Sequence, residues 1–209
     1  MTANKEIIVG VTGASGASYA TRLLRALLVG GHHVHLTISK YGRYLLHEEL
    51  GFKADEESVR EFLQRLYGDE MVGTGELTEH GVNDMTSTLA SGSVHTDGMV
   101  VIPCTAKTFA GIANGLSANL IERAADVTLK EKRPLVVVPR ETPLNLIQLR
   151  NLTALAEAGA IVLPAMPAFY PQPKTFDDLA DFIVGRVLDL LGIENQLFPR
   201  WRTTGGSGG

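Results

Sequence analysis

Glu6-Ile-Ile-Val-Gly-Val-Thr-Gly-Ala-Ser-Gly-Ala17 decides the fold: a β-rich apolar run stops in a glycine cluster, and Ala20, Leu23, Leu24, Leu27 and Leu28 then recur at helical spacing up to Gly30 and Gly31. That is strand, loop and helix. Working outward, Val34, Leu36 and Ile38 alternate with polar neighbours as a second strand, and Tyr41 to Leu50 reads as a helix, so the chain opens on a βαβ unit. Gly98 to Cys104, Leu135 to Val138 and Ala160 to Leu163 are continuous apolar runs of the kind a parallel sheet buries on both faces. Helical patterns cover Thr105 to Asn114, Leu120 to Lys132, Leu144 to Ala158 and Asp177 to Leu191. Alternating strands and helices predict a doubly wound parallel α/β sheet, whose chemistry belongs at the carboxyl ends of the strands. From about Phe52 to Ser93 the pattern is weak. A helix is expected over Ser58 to Leu66, followed by a Gly/Thr/Ser-rich connection to which no chemistry is assigned.

With 209 residues, 44% of them hydrophobic and 20% charged, the chain buries enough surface to need neither disulfides nor a structural metal. One domain over 1–202 is expected, with a flexible Gly/Ser-rich tail at 203–209. The single cysteine, Cys104, allows no internal disulfide and no cysteine-based zinc cluster, and it fits a reducing cytoplasm. No apolar run approaches the roughly 20 residues of a membrane span, and the N-terminus lacks a signal-peptide layout. A net charge of −4 argues against a sequence-independent grip on nucleic acid or anionic lipid, so any bound anion must be held locally.

Gly13, Ala14, Ser15 and Gly16 stand where bare backbone N–H groups and a helix dipole make a phosphate seat, although a purely structural turn has the same composition. The loop lacks the Gly-Lys-Ser/Thr ending of a P-loop, and the second strand ends at Ser39-Lys40, without the acidic residue that NAD binding asks of it. Thr105-Ala-Lys-Thr108 repeats the seat after the Gly98 to Cys104 strand. Lys107, Arg123, Lys130, Lys132, Arg133 and Arg140 form a local basic surplus. Arg123 and Lys130 are two helical turns apart on one face, either solvated or converging on an anion or a neighbouring subunit. Glu141, beside Arg140 at a strand end, is either a proton-handling carboxylate or one half of an ion pair. No metal site is expected: His33 and His35 share a strand face but show no third ligand. Cys104 reads as a small core residue, Glu48 and Glu49 as exposed helix positions, and Asp177-Asp178 as an ordinary helix start.

Thr12-Gly-Ala-Ser-Gly-Ala17, Ile38-Ser-Lys40, Ala90-Ser-Gly-Ser93, Asn119-Leu-Ile-Glu-Arg-Ala-Ala-Asp126, Leu129-Lys-Glu-Lys-Arg-Pro-Leu135, Pro139-Arg-Glu-Thr-Pro143 and Pro167-Ala-Phe-Tyr170, in this order, resemble the UbiX-type flavin prenyltransferases. The resemblance runs from the first strand to Trp201 and implies a Rossmann-like flavoprotein. It implies an enzyme that alkylates reduced FMN at N5 and C6 with dimethylallyl phosphate, giving prenylated FMN for a UbiD-type decarboxylase, with no metal required. Carried over by position, Gly13, Ala14, Ser15, Ser39, Thr105, Ala106, Lys107, Thr108 and Arg123 hold FMN. Lys130, Arg140, Glu141, Tyr170 and Arg186 hold dimethylallyl phosphate. Ser15, Glu49, Lys130 and Glu141 are the implied catalytic residues, with Glu49 contributed by an adjacent subunit. The family's assembly is a homododecamer with sites at subunit interfaces.

Two other readings are separable by experiment. The same superfamily includes FMN-dependent decarboxylases of cysteine-containing substrates, which use a Pro-x-Met-Asn clamp. Here the corresponding segment is Pro139-Arg-Glu-Thr-Pro143, which disfavours that activity. The third reading is a non-catalytic FMN carrier.

Overall fold

The computed structural model describes residues 4–69 and 73–201. The tail expected at 203–209 lies outside the described residues. In chain order the elements are β1 (Glu6–Val11), α1 (Ala17–Val29), β2 (His33–Ile38), α2 (Lys40–Leu50), α3 (Val59–Tyr67) and β3 (Glu76–His80), followed by a short 3₁₀ turn at Thr88–Ala90. After it come β4 (Gly98–Cys104), α4 (Ala106–Ala113), α5 (Leu120–Lys130), β5 (Leu135–Pro139), α6 (Leu146–Glu157), β6 (Ile161–Val162) and α7 (Phe176–Leu190). The strands pair in parallel in the order β3-β2-β1-β4-β5-β6. The doubly wound parallel sheet expected from the apolar runs is the one observed.

Side-chain alternation splits the core in two. Val100 and Ile102 of β4 join Leu23, Leu27, Phe62, Ile183 and Val187 on the face covered by α1, α2, α3 and α7. Met99 and Val101 join Phe109, Ile112, Ile121, Ala124 and Leu155 on the face covered by α4, α5 and α6. Because both faces are covered, β4 and β5 are buried throughout, as their continuous apolar composition requires. All the helices but α1 start at a side-chain cap: Ser39 accepts from Gly42 N–H, Ser58 and Glu61 form a capping box, and Asn145 and Gln148 form another. That last cap moves the start of α6 from the expected Leu144 to Leu146.

Three expectations need correction. Ala160 to Leu163 is not a buried strand like β5. Only Ile161 and Val162 pair, both half-buried, because β6 is the sheet's edge with one neighbour. The connection after α3 contains β3, whose Glu76-Leu-Thr-Glu-His80 is largely exposed and carries no apolar signal. His33 and His35 do have a third potential ligand: the register of β1 on β2 sets Glu6 opposite His33 and Ile8 opposite His35, which brings the Glu6 carboxylate to both imidazoles.

Candidate active site

The sheet order reverses between β1 and β4, and the switch point beyond their carboxyl ends is where an open α/β sheet forms its crevice. Thr12, buried at the tip of β1, links the two sides. Its Oγ1 donates to Pro103 O at 2.7 Å and accepts from Thr105 N at 2.9 Å. The glycine loop and the start of α4 are thereby locked side by side. Thr105 caps α4, accepting from Thr108 N at 3.2 Å and donating to Thr108 Oγ1 at 3.0 Å. The N–H groups of Ala106 and Lys107, in the first turn, have no intrahelical acceptor and face outward from the helix end. Thr12 is a residue that sequence reasoning passed over; its position as the last polar residue before the glycine loop is the signal that was there to read.

Gly13 is needed for close approach: a Cβ there would lie 2.3 Å from Tyr41 Cβ, so the loop rests directly on the first turn of α2. Gly16 has φ +113°, a left-handed conformation that suits glycine, and it turns the chain into α1. The anion seat there is filled by this chain's own carboxylate: Glu49 Oε2 accepts from Gly16 N at 3.0 Å and from Ala17 N at 2.7 Å. Glu49 therefore reaches the glycine loop of its own chain, where the resemblance implies delivery by an adjacent subunit. As a stand-in anion, it displays what this helix start attracts.

Arg140, just past β5, donates from Nε to Ser15 O at 3.0 Å. With Glu141 it lies at the rim of a cavity of about 300 Å³, which Pro139, Leu144, Leu152, Pro164 and Met166 also line. Glu141 is exposed and accepts from Thr142 N–H at 3.1 Å. Tyr19, half-buried beside Gly16, has its phenol pushed above the usual range by burial, with the nearby Arg140 charge opposing. The Cys104 thiol is fully buried and its pKa is driven up by desolvation, so it stays protonated and inert.

The remaining candidates spread beyond this crevice. Arg123 and Lys130 do share a face of α5, but that face is laid along Ala90 to Gly92. Arg123 Nε donates to Ala90 O at 3.1 Å and its Nη1 pairs with Asp126 at 2.8 Å, while a Cβ on Gly92 would stand 2.7 Å from Lys130 Nζ. Lys130 also pairs with Glu131 at 2.7 Å. It closes α5 just before the chain enters β5 at Leu135, whereas Arg140 and Glu141 follow the end of that strand. Five strand residues, roughly 16 Å, separate the two edges. The convergence of Lys130 with Arg140 and Glu141 is therefore not made within one chain: helical spacing sets the shared face but says nothing of which end of the sheet it reaches. Tyr170 packs edge-on against Phe182 of α7 and against Trp201, on the opposite face of the sheet from α5, and Arg186 lies one turn beyond Phe182. Glu122, near the start of α5, is buried and accepts from Ala118 N–H at 2.9 Å.

A flavoprotein family model matches residues 1–188. The "Flavin prenyltransferase UbiX" of Halalkalibacterium halodurans is 50% identical over 96% of this chain and 96% of its own length. The chain belongs to the flavoprotein family, among the UbiX flavin prenyltransferases. The same-named protein of Pseudomonas aeruginosa is 42% identical, again covering 96% of both chains. In three dimensions this flavoprotein chain is similar to the crystal structure of AnUbiX (PadA1) in complex with FMN and dimethylallyl pyrophosphate, with a TM-score of 0.84, 38% identity and coverage of 96% and 98%. It is also similar to the dodecameric FMN-dependent UbiX-like decarboxylase from Escherichia coli O157:H7, with a TM-score of 0.82, 41% identity and coverage of 94% and 99%.

Proposed function

We propose that this chain transfers a dimethylallyl group from dimethylallyl phosphate to N5 and C6 of reduced FMN. The product, prenylated FMN, serves a UbiD-type decarboxylase, and the enzyme works in the cytoplasm as a homododecamer. The observation that carries the reading is the Arg140 to Ser15 bond, which joins the glycine loop at the switch point to the apolar cavity beside it. Membership of the UbiX flavin prenyltransferases supports it independently.

The crevice suits a flavin nucleotide. It has helix starts with outward N–H groups and the Ser39 and Thr105 hydroxyls, and Gly13 lets the loop pack directly on α2. When bound, reduced FMN supplies the electron-rich ring that receives the allylic group. Gly13, Ala14, Ser15, Ser39, the Thr105 to Thr108 segment and Arg123 are its holders. Arg140 and Lys130 meet the charge that phosphate carries away as the carbon–oxygen bond breaks, which is where preorganised cations lower a barrier most. Leu144, Leu152 and Met166 form an apolar wall fit for a five-carbon chain and keep water from the reacting carbon. Ser15, Glu49 and Glu141 hold or move protons, while Tyr170 and Arg186 complete the phosphate pocket.

Because Lys130 lies at the far edge of its own sheet, and Tyr170 and Arg186 lie on the far face, the complete pocket draws them from neighbouring copies. The exposed Leu146, Ile147 and Leu149 of α6 give such copies an apolar surface to bury. The test is mass spectrometry of the flavin after incubating purified protein with FMN, dithionite and dimethylallyl phosphate, in parallel with the diphosphate. A flavin heavier by one prenyl unit is expected. Unaltered FMN retained by the protein would leave a carrier, and carbon dioxide released from a peptidyl cysteine would make it a decarboxylase.

A further inference from the structure

We infer that Glu6, His33 and His35 form a binding site for zinc or a similar late first-row divalent cation, at the strand-start edge of the sheet and apart from the crevice. Glu6 and His33 open β1 and β2 in register, and His35 follows two residues on, so all three side chains emerge on one face. His33 Nδ1 lies 2.9 Å and His35 Nε2 2.7 Å from the same oxygen of Glu6, and the three candidate ligand atoms fall within 4.8 Å of one another. Ligands bonded to zinc at 2.0–2.2 Å in a tetrahedron stand about 3.4 Å apart, so the two imidazole–carboxylate separations need to open by only roughly half an ångström or slightly more, and the third already lies within 4.8 Å. Two imidazoles and one carboxylate, with a fourth position left to water, suit zinc and its neighbours; magnesium and calcium ask for oxygen throughout.

The outer partners are also present. His33 Nε2 is 2.9 Å from Thr78 Oγ1. His35 Nδ1 is 3.2 Å from His80 Nε2, and His80 Nδ1 is 2.9 Å from Ser87 Oγ. A metal on the inner nitrogens requires the protons on the outer ones, reversing each hydrogen bond. Hydroxyls donate or accept equally well, so Thr78 and Ser87 satisfy the imidazoles in either tautomer. This is the arrangement that orients metal-ligating histidines. Glu76, 3.8 Å from His33 Nδ1, adds negative charge at the rim, and Glu6 is exposed enough for an ion to enter. A bound cation would tie β1 to β2 directly, and β3 to both through Thr78 and His80.

The experiment is a competition titration of zinc against a chromophoric chelator, using untagged, metal-stripped protein, with the visible spectrum of added Co²⁺ as a second readout. One ion per chain is expected, with a Co²⁺ spectrum of tetrahedral intensity. E6Q, H33Q and H35Q should each weaken zinc binding by about 100-fold or more, and T78V by about 10-fold as the loss of an outer partner. Circular dichroism shows whether each variant is folded, and the wild-type stoichiometry and Co²⁺ spectrum decide the matter if one is not. Absence of saturable binding, an octahedral Co²⁺ spectrum, or zinc affinity unchanged in any of the three ligand variants overturns the site.

Discussion

The two edges of the sheet use similar residues to opposite ends. At the strand starts, charged groups are consumed by the fold: Arg133 donates to Gly92 O, Val94 O and Thr96 Oγ1, Asp97 accepts from Glu6 N–H, and Lys5 Nζ donates to Leu191 O. At the strand tips, Arg140 spends one donor on the glycine loop and Glu141 stays exposed. There the first-turn N–H groups of α1 attract a carboxylate from another helix. The contrast shows how one fold serves both stability and chemistry. Polar groups that close onto backbone carbonyls hold strands to loops, and polar groups left with spare donors on rigid tips remain for a ligand.

The sharpest way to break this division is to test Lys130, the one proposed catalytic residue on the strand-start edge. Lys130→Ala and Arg140→Ala should each reduce turnover by about 100- to 1000-fold. If Lys130 serves a neighbour's crevice, co-assembling the two inactive variants restores activity to about a quarter of the sites, because a random mixture pairs two intact contributors that often. Mixed oligomers with no recovery would mean that Lys130 and Arg140 act from the same copy, against delivery by a neighbour. Next in size, Gly13→Ala probes the tips alone. Its methyl group has no room against Tyr41, whose Cβ is held by the backbone, so the loop must shift. We expect FMN affinity to fall by at least about 10-fold with a stability loss of about 1–3 kcal/mol, read by flavin fluorescence titration and thermal melting.

Why some of this was legible in sequence follows from the same two edges. β4 and β5, and β1 beyond Glu6, are buried on both faces and so must be apolar, and the glycine cluster after β1 marks the switch point without any knowledge of the rest. β3 escaped notice because an edge strand with Glu76 and Glu79 exposed pairs on one side and lends only Leu77 to the core. The basic surplus was visible as composition, but a helix period cannot say that Lys130 points away from Arg140. Glu49 read as an ordinary exposed residue because its partners lie 32 and 33 positions earlier, on a helix that only packing brings near. The third partner of His33 and His35 was hidden for a related reason: Glu6 sits one strand away, and only the parallel register reveals it.

On the stability side of the comparison, Arg133→Ala removes the donor that two backbone carbonyls and Thr96 share. Leaving such acceptors unpaired costs about 2 kcal/mol, which for a chain of this length lowers the melting midpoint by roughly 4–8 °C. FMN affinity should be unchanged, since nothing at the strand tips moves. A variant that melts normally but loses flavin would invert the assignment of the two edges.

The smallest expected effect separates charge from geometry at the strand-start edge. Asp189, near the end of α7, is hydrogen-bonded by Arg200, which holds its carboxyl below the usual aspartate range against a smaller upward push from burial. A carboxyl depressed in the folded state stabilises the protein above its unfolded pKa, and that contribution drains away as pH falls through the folded value. Asp189→Asn should therefore cost less than about 1 kcal/mol at neutral pH, since the pair is partly solvent-screened. The gap between the two proteins should close as pH drops below about 4, in denaturation curves recorded across that range. A gap that persists in acid would mean that the hydrogen-bond geometry of Asp189, with Asn195 Nδ2 also donating to it at 3.0 Å, matters more than its charge.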